Sequence, residues 1–152
     1  MIMKKMKIET VLTDDNDRCL CIRRAVFVEE QSVPEELEID GLDEKDAVCD
    51  RFLILCDGRD AGAFRCFYES PKTVHLQRFC ILKEYRRMGC GRAALGFAER
   101  FYAERGAKEI TLNAQCSAAG FYEHCGYKAV SGVFYEAGMP HVKMVKQLFS
   151  AS

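Results

Sequence analysis

Between Arg78 and Tyr102 the chain reads RFCILKEYRRMGCGRAALGFAERFY, an apolar strand that enters a basic, glycine-containing loop and then an amphipathic helix. Gly89 and Gly91 let the backbone approach a ligand closely, and the unpaired amides of the first helical turn face outward, so this stretch suits an anion such as phosphate. A Walker A loop is excluded because G-x-x-x-x-G-K-S/T is absent. A dinucleotide fingerprint can be laid on Gly89, Gly91 and Ala94, but the acid that should close the next strand, Glu109, opens it instead. Three strands also precede the loop, where a dinucleotide fold would begin with it.

The elements that must hold this loop can be read from periodicity and punctuation. Ile8 to Thr13 is a first strand, and Asp14 or Asp15 can cap the helix that follows. In DRCLCIRRAVFVEEQ, the residues Cys19, Ile22, Val26 and Phe27 recur at helical spacing, and Pro34 ends that helix or begins the next segment. Phe52 to Asp57 and Ala61 to Glu69 form a hairpin about DGRD, and after a turn at 70–72 Val74 to Leu82 is the strand that feeds the loop. The helix from Gly89 to Glu104 buries Ala93, Leu95, Phe97, Ala98 and Phe101 and stops at Gly106. Glu109 to Ala114 is then a strand parallel to 74–82, because a helix crosses between them. A short helix, Ser117 to His124, ends at Gly126, and Tyr127 to Tyr135 with His141 to Gln147 closes the sheet as a hairpin around EAGMP. One βαβ crossover inside an otherwise antiparallel sheet makes the fold class α+β.

Length and composition narrow the class. At 152 residues the chain is expected to be one domain, 1–152, and 49% apolar with 30% charged residues at a net charge of −1 excludes a strongly basic nucleic-acid binder. No apolar run reaches the roughly 20 residues of a membrane span, and MIMKKMKIET lacks the features of a signal peptide, so a cytoplasmic address and no membrane partner are expected. Nine cysteines are scattered without a C-x-x-C pair, which points to free thiols in a reducing compartment and to no bound metal. Charge is segregated. Residues 29–46 carry nine acids against one base, and residues 78–108 carry eight bases against three acids.

Arg86-Arg87-Met88-Gly89-Cys90-Gly91 resembles the R/Q-x-x-G-x-G/A coenzyme A loop of the GNAT N-acetyltransferase superfamily, in its usual place between the fourth strand and the long helix. Gln115-x-x-Ala118-x-x-Phe121-Tyr122-Glu123-x-x-Gly126-Tyr127 resembles that family's N-x-x-A-x-x-L-Y-x-x-x-G-F segment, with Gln115 where Asn is usual. RRAVFVEEQSVPEELEIDGLD, Ala114-Gln115 and Gly138-Met139-Pro140-His141 resemble a narrower subgroup, the ElaA/YjcF-like acetyltransferases.

The resemblance implies a three-layer fold with a central mixed sheet of about seven strands flanked by helices. Strands 74–82 and 109–114 would splay to admit the pantetheine arm of acetyl-CoA, a co-substrate. Backbone groups of Phe79, Cys80 and Ile81 would pair with that arm, the loop Arg86, Arg87, Met88, Gly89, Cys90, Gly91 and Arg92 would hold the pyrophosphate, and Asn113 and Gln115 would add cofactor contacts. The implied activity is direct transfer of the acetyl group to a primary amine in a ternary complex. Tyr122 matches the family tyrosine near the sulfur and would protonate the thiolate; His141 and Glu30 are the candidates for a general base. His75 and His124 read as ordinary strand and helix-end residues. The acidic block 29–46 would favour a small cationic acceptor such as a polyamine or amino sugar.

Two other functions stand beside this one. A catalytically silent coenzyme A-binding sensor or interaction module would keep the loop and lose turnover. A redox role would need a low-pKa exposed thiol, for which Cys90 at the helix N-terminus is the candidate. A homodimer is the default expectation for assembly.

Overall fold

Asp15 opens the first helix as its sequence suggests: its carboxylate accepts the Arg18 amide at 3.3 Å, between β1 (Ile8–Thr13) and α1 (Asn16–Arg23). In the computed structural model, which describes residues 5–149, α1 does not stop at Arg23. It widens into a π-helical segment over Arg24–Glu30, closed by the Gln31 amide bonding back five residues to the Val26 carbonyl. Pro34 then opens α2 (Glu35–Glu38). The ends of the domain expected over 1–152 lie outside the described residues.

The strands are β2 (Asp50–Cys56), β3 (Arg59–Ser70), β4 (Thr73–Ile81), β5 (Glu109–Gln115), β6 (Lys128–Ala129), β7 (Phe134–Glu136) and β8 (Met139–Gln147). Between β4 and β5 runs α3 (Cys90–Glu104), and α4 (Ala119–His124) follows β5. The sheet order is β1-β2-β3-β4-β5-β8-β6, with β7 also paired to β8. β4 and β5 are parallel, which gives the mixed sheet flanked by helices. Eight strands form where about seven were expected, because the strand read over 127–135 is two short pieces on β8. Ser131 and Gly132 lie in the gap, and the Ser131 hydroxyl accepts the Lys143 amide at 2.9 Å in place of a ladder bond. The last turn is also tighter than EAGMP. Ala137 and Gly138 both have positive φ, the signature of a two-residue hairpin turn.

Contacts group the chain into two units, one of the residues up to Arg65 with Arg78–Ala94, the other of Cys66–Gln77 with the residues from Leu95 on. In the first, Cys19, Ile22 and Val26 on one side of the opening helix pack on Leu53, Ala63 and Cys80 of the sheet, with Phe27 partly buried beside them. Phe52 and Phe64 stack at 4.7 Å. The charged residues of this unit are organised around three arginines. Arg23, buried, donates to Glu38 at 2.7 Å and to Asp43 at 2.5 Å; Arg65, buried, donates to Asp40 at 2.6 Å and to Asp43 at 3.2 Å. Arg78 completes the group at 3.2 Å from Glu38 and 3.3 Å from Asp40. Much of the acidic block is thus structural.

In the second unit, Ile110, Leu112 and Ala114 point to the buried face of β5, while Thr111, Asn113 and Gln115 take the other face. On α3 the buried positions are Ala94, Leu95, Ala98 and Tyr102; Ala93 is exposed and Phe97 and Phe101 are half-buried, so the buried stripe is turned from the expected one. Phe101 instead lies under the Arg105 guanidinium at 3.5 Å, where an aromatic face is stabilised without full burial.

Candidate active site

The parallel ladder of β4 and β5 has four pairs, Thr73↔Glu109 to Leu76↔Leu112, and ends there although β5 runs on to Gln115. Two residues later Arg78 has φ of +56°, a left-handed conformation that a non-glycine residue adopts only when held. Its contacts to Glu38 and Asp40 supply the hold. Beyond it, β4 lies close against β3: a Cβ at Gly62 would stand 2.5 Å from the Cys80 carbonyl oxygen, so only glycine fits. Of the three residues expected to pair with the cofactor through their backbone, Cys80 therefore turns its carbonyl to β3. Successive strand peptides alternate in direction, which turns those of Phe79 and Ile81 the other way. Ile81 already accepts the Arg86 Nε at 2.9 Å.

The loop closes the strand onto the helix. After a single 3₁₀ turn at Lys83–Tyr85, Arg87 and Gly89 both take positive φ, +63° and +87°. The Gly89 carbonyl accepts the Ala93 amide at 3.1 Å, the first bond of α3, which leaves the amides of the first turn without helical acceptors. No atom lies within 4 Å of a Cβ built on Gly89. Arg87, Met88, Gly89 and Arg92 are exposed, a basic rim around open backbone. Cys90 is buried, and burial raises its thiol pKa, which removes it as the reactive thiol of a redox site. Cys80 is pushed up to about 12 by burial. All nine cysteines are free.

Arg86 is not part of the open rim. It grips both oxygens of Glu30, at 2.5 and 2.6 Å, and this hydrogen bonding holds the Glu30 carboxyl below the usual carboxylate range. A carboxylate so held is a weaker base than an ordinary one, and Glu30 works here as the counter-ion of Arg86. Glu30 borders a shallow cleft of about 290 Å³ that Glu29, Leu82 and Glu84 also line.

The second unit holds the remaining candidates. Tyr122 on α4 is buried, with its ring edge-on to Tyr127 at 6.0 Å. Its carbonyl accepts the amides of Cys125 and Tyr127, a turn that Gly126 permits at φ of +96°. Tyr127 donates to Glu99 at 3.1 Å, and Lys146 joins Glu99 to the Cys125 carbonyl at 2.8 and 2.7 Å, fixing the end of α4. His141 pairs with Gln115 of β5 on one side and Phe134 of β7 on the other. Its Nδ1 lies 2.8 Å from the Met139 carbonyl, which can only accept, so Nδ1 carries the proton and the neutral ring leaves Nε2 as the basic atom. The ring is buried and stacks near Phe134.

Glu136, Thr111 and Glu69 were not singled out in the sequence. Glu136 lies with one oxygen 3.3 Å from Asn113 Nδ2 and the other 3.7 Å from His141 Nε2. It was hidden in EAGMP, which reads as a loop. Asn113 is thereby turned to Glu136. On the same side of the sheet buried His75 and Thr111 meet the exposed Glu69, with His75 Nδ1 at 2.8 Å from the Thr111 hydroxyl and 2.9 Å from Glu69. Burial lowers the His75 pKa and favours its neutral form. Among the described residues no cluster of three or more His, Cys, Asp or Glu side chains could hold a metal ion, and no helix is long and apolar enough to cross a membrane.

A family model described as an acetyltransferase (GNAT) domain matches residues 23–148. The uncharacterised N-acetyltransferase YjcF of Bacillus subtilis is 37% identical over 127 residues, covering 82% of this chain and 87% of its own. A Lactobacillus plantarum protein assigned to the N-acetyltransferases superimposes with a TM-score of 0.84 at 31% identity, covering 96% of this chain and 100% of its own. Escherichia coli ElaA shares the fold, with a TM-score of 0.77 at 22% identity over 93% of this chain and 99% of its own. Other neighbours of the fold were solved with coenzyme A bound.

Proposed function

The chain belongs to the GNAT acetyltransferase family, and on that premise we propose that it moves an acetyl group from acetyl-CoA directly to a primary amine of a small cationic acceptor. The observation that carries this reading is the connection from β4 to α3. A strand freed from its parallel neighbour at Leu76 leads into a loop where Gly89, open on the side its Cβ would occupy, caps a helix with exposed first-turn amides. These residues fit a pyrophosphate: the backbone is accessible, the helix end is positive, and Arg87 and Arg92 stand exposed beside it.

In this reading the amides from Met88 to Arg92 hold the phosphates, and Arg86 braces the loop through Glu30 and the Ile81 carbonyl. Backbone groups of Phe79 and Ile81, with the side chains of Asn113 and Gln115, orient the rest of the co-substrate. When bound, acetyl-CoA supplies the activated thioester. Tyr122 gives its phenolic proton to the departing sulfur. His141 Nε2 takes a proton from the amine. The cationic class is supported by the carboxylates of Glu29 and Glu84 at the cleft and of Glu136 beside His141.

Thiol release from acetyl-CoA across a panel of polyamines, amino sugars, neutral amines and amino-terminal peptides tests this. The expected result is turnover on one cationic class that weakens as salt is raised. Equal rates on neutral amines would remove the cationic acceptor, and binding of coenzyme A without turnover on any amine would remove the enzyme.

A further inference from the structure

We propose that Glu136 and His141 act as a coupled pair that receives the acceptor's ammonium, with His141 taking the proton and Glu136 serving as the positioning residue that makes it a competent base. This deepens the acetyltransferase reading and rests on it. The geometry is specific. The Met139 carbonyl fixes the proton of the neutral ring on Nδ1, so Nε2 presents its lone pair, and a Glu136 oxygen lies 3.7 Å from it. That separation is too long for a hydrogen bond, as a lone pair facing a carboxylate requires. Protonation of Nε2 turns the same contact into a charge-assisted attraction and draws the two together.

Glu136 is held for this. Asn113 Nδ2 donates to its other oxygen at 3.3 Å, the two-residue turn at Ala137 and Gly138 anchors β7 on β8, and the register sets Glu136 opposite Met139, whose carbonyl orients the histidine. The Glu136 side chain remains about half exposed, at 48%, while the His141 side chain is 7% exposed. An incoming ammonium therefore meets the carboxylate first. One N–H bond of the ammonium breaks, its proton forms a new bond at His141 Nε2, and the nitrogen lone pair is left on the amine for attack. The other charged or titratable groups on this side are Lys143, two positions along β8, and His75 and Glu69 on β4 and β3. His75 senses the charges of both Glu136 and Lys143, which places the four in one electrostatic neighbourhood.

The test combines nitrogen-15 NMR titration of His141 with pH profiles of kcat/KM on the full chain, for wild type, Glu136→Gln, Glu136→Asp and His141→Gln. Calorimetry with coenzyme A is run on each variant. The expected result is an Nδ1-protonated tautomer in wild type, and a His141 titration that moves to lower pH in Glu136→Gln, with the acidic limb of the profile moving with it. Glu136→Asp should restore part of the shift, and His141→Gln should abolish the limb and lower the rate about 10²–10⁴-fold. Coenzyme A binding should be unchanged throughout. If coenzyme A binds but the His141 titration and the acidic limb are the same in wild type and Glu136→Gln, the pair is overturned and the acetyltransferase reading stands. If coenzyme A does not bind wild type, that reading fails first and the pair with it.

Discussion

Arg86 holds Glu30 by both carboxylate oxygens, at 2.5 and 2.6 Å, and so ties the end of the opening helix to the loop that precedes α3. One of the bases expected at the phosphate site is thus a brace, and one of the acids expected as a base is its anchor. Glu30→Gln is expected to leave the pH profile of turnover unchanged in shape and to reduce kcat less than tenfold. Because both side chains are more than a third exposed, the loss of stability should be small, about 0.5–1 kcal/mol. Its sign with pH follows from the depressed carboxyl: the contribution is complete above the unfolded pKa of about 4.3 and is lost as pH falls through the folded one. Disappearance of the acidic limb in Glu30→Gln would restore Glu30 as the catalytic base.

Gly62 is the point where β3 meets the part of β4 beyond Arg78. Gly62→Ala places a methyl group against the Cys80 carbonyl and 2.8 Å from Ile81 Cδ1, so the backbone has to give. A loss of about 1–3 kcal/mol is expected, together with weaker coenzyme A binding, because the displaced strand carries Phe79 and Ile81. Thermal unfolding and calorimetry read the two effects; a stable variant with full affinity would show that this approach of strands does not set the site.

The network of Arg23 with Glu38 and Asp43 is expected to govern acid stability. Burial alone would raise Asp43, but the hydrogen bonds from Arg23 and the Asp40 amide, with the charges of Arg23 and Arg65, together outweigh it and hold the carboxyl at about 2. The Asp43 contribution is therefore complete above an unfolded pKa of about 3.9 and is lost as pH falls towards 2. Burial raises Glu38, whose contribution runs in the opposite sense. Arg23→Met removes the shortest ion pair of both carboxylates, which are at most 4% exposed and are left with Arg65 and Arg78 alone, and should destabilise the protein by about 3–5 kcal/mol in urea unfolding at pH 7. A loss below about 1 kcal/mol would mean that the network contributes little.

Cysteine labelling separates packing from reactivity. Cys21 is exposed, whereas Cys19, Cys66, Cys80 and Cys90 are buried, with Cys19 raised to about 11 by burial. A thiol reagent at pH 8 should modify Cys21 within minutes and leave Cys90 intact in the native state. Rapid loss of the Cys90 thiol, mapped by mass spectrometry, would reopen a redox role for the loop.

Where local chemistry decides the outcome, the sequence could be read directly. Asp15 caps a helix with its own carboxylate, Asp57-Gly58 makes a two-residue hairpin, and Gly89 starts a helix at positive φ, and each needs only a few neighbouring residues. The α+β order, the parallel crossover and the family motifs followed from such signals. What could not be read depends on distant partners. Nothing near Glu38, Asp40 or Asp43 in the chain announces that Arg23, Arg65 and Arg78 neutralise them, so the acidic block looked like an open field. Glu136 drew no notice for the same reason, since its meeting with Asn113 and His141 is made by the register of β5, β7 and β8. The widening of the opening helix at Arg24–Glu30 also lacks a local mark.

The most direct test of the central claim is calorimetric titration of coenzyme A into wild type and Gly89→Ala at two salt concentrations. Wild type is expected to bind at micromolar affinity, more weakly at high salt. Gly89→Ala, with a side chain forced onto a left-handed backbone at the helix cap, is expected to bind at least tenfold more weakly while losing only about 1–2 kcal/mol of stability. No binding to wild type, or equal binding to the variant, would contradict the assignment of this loop as the pyrophosphate site.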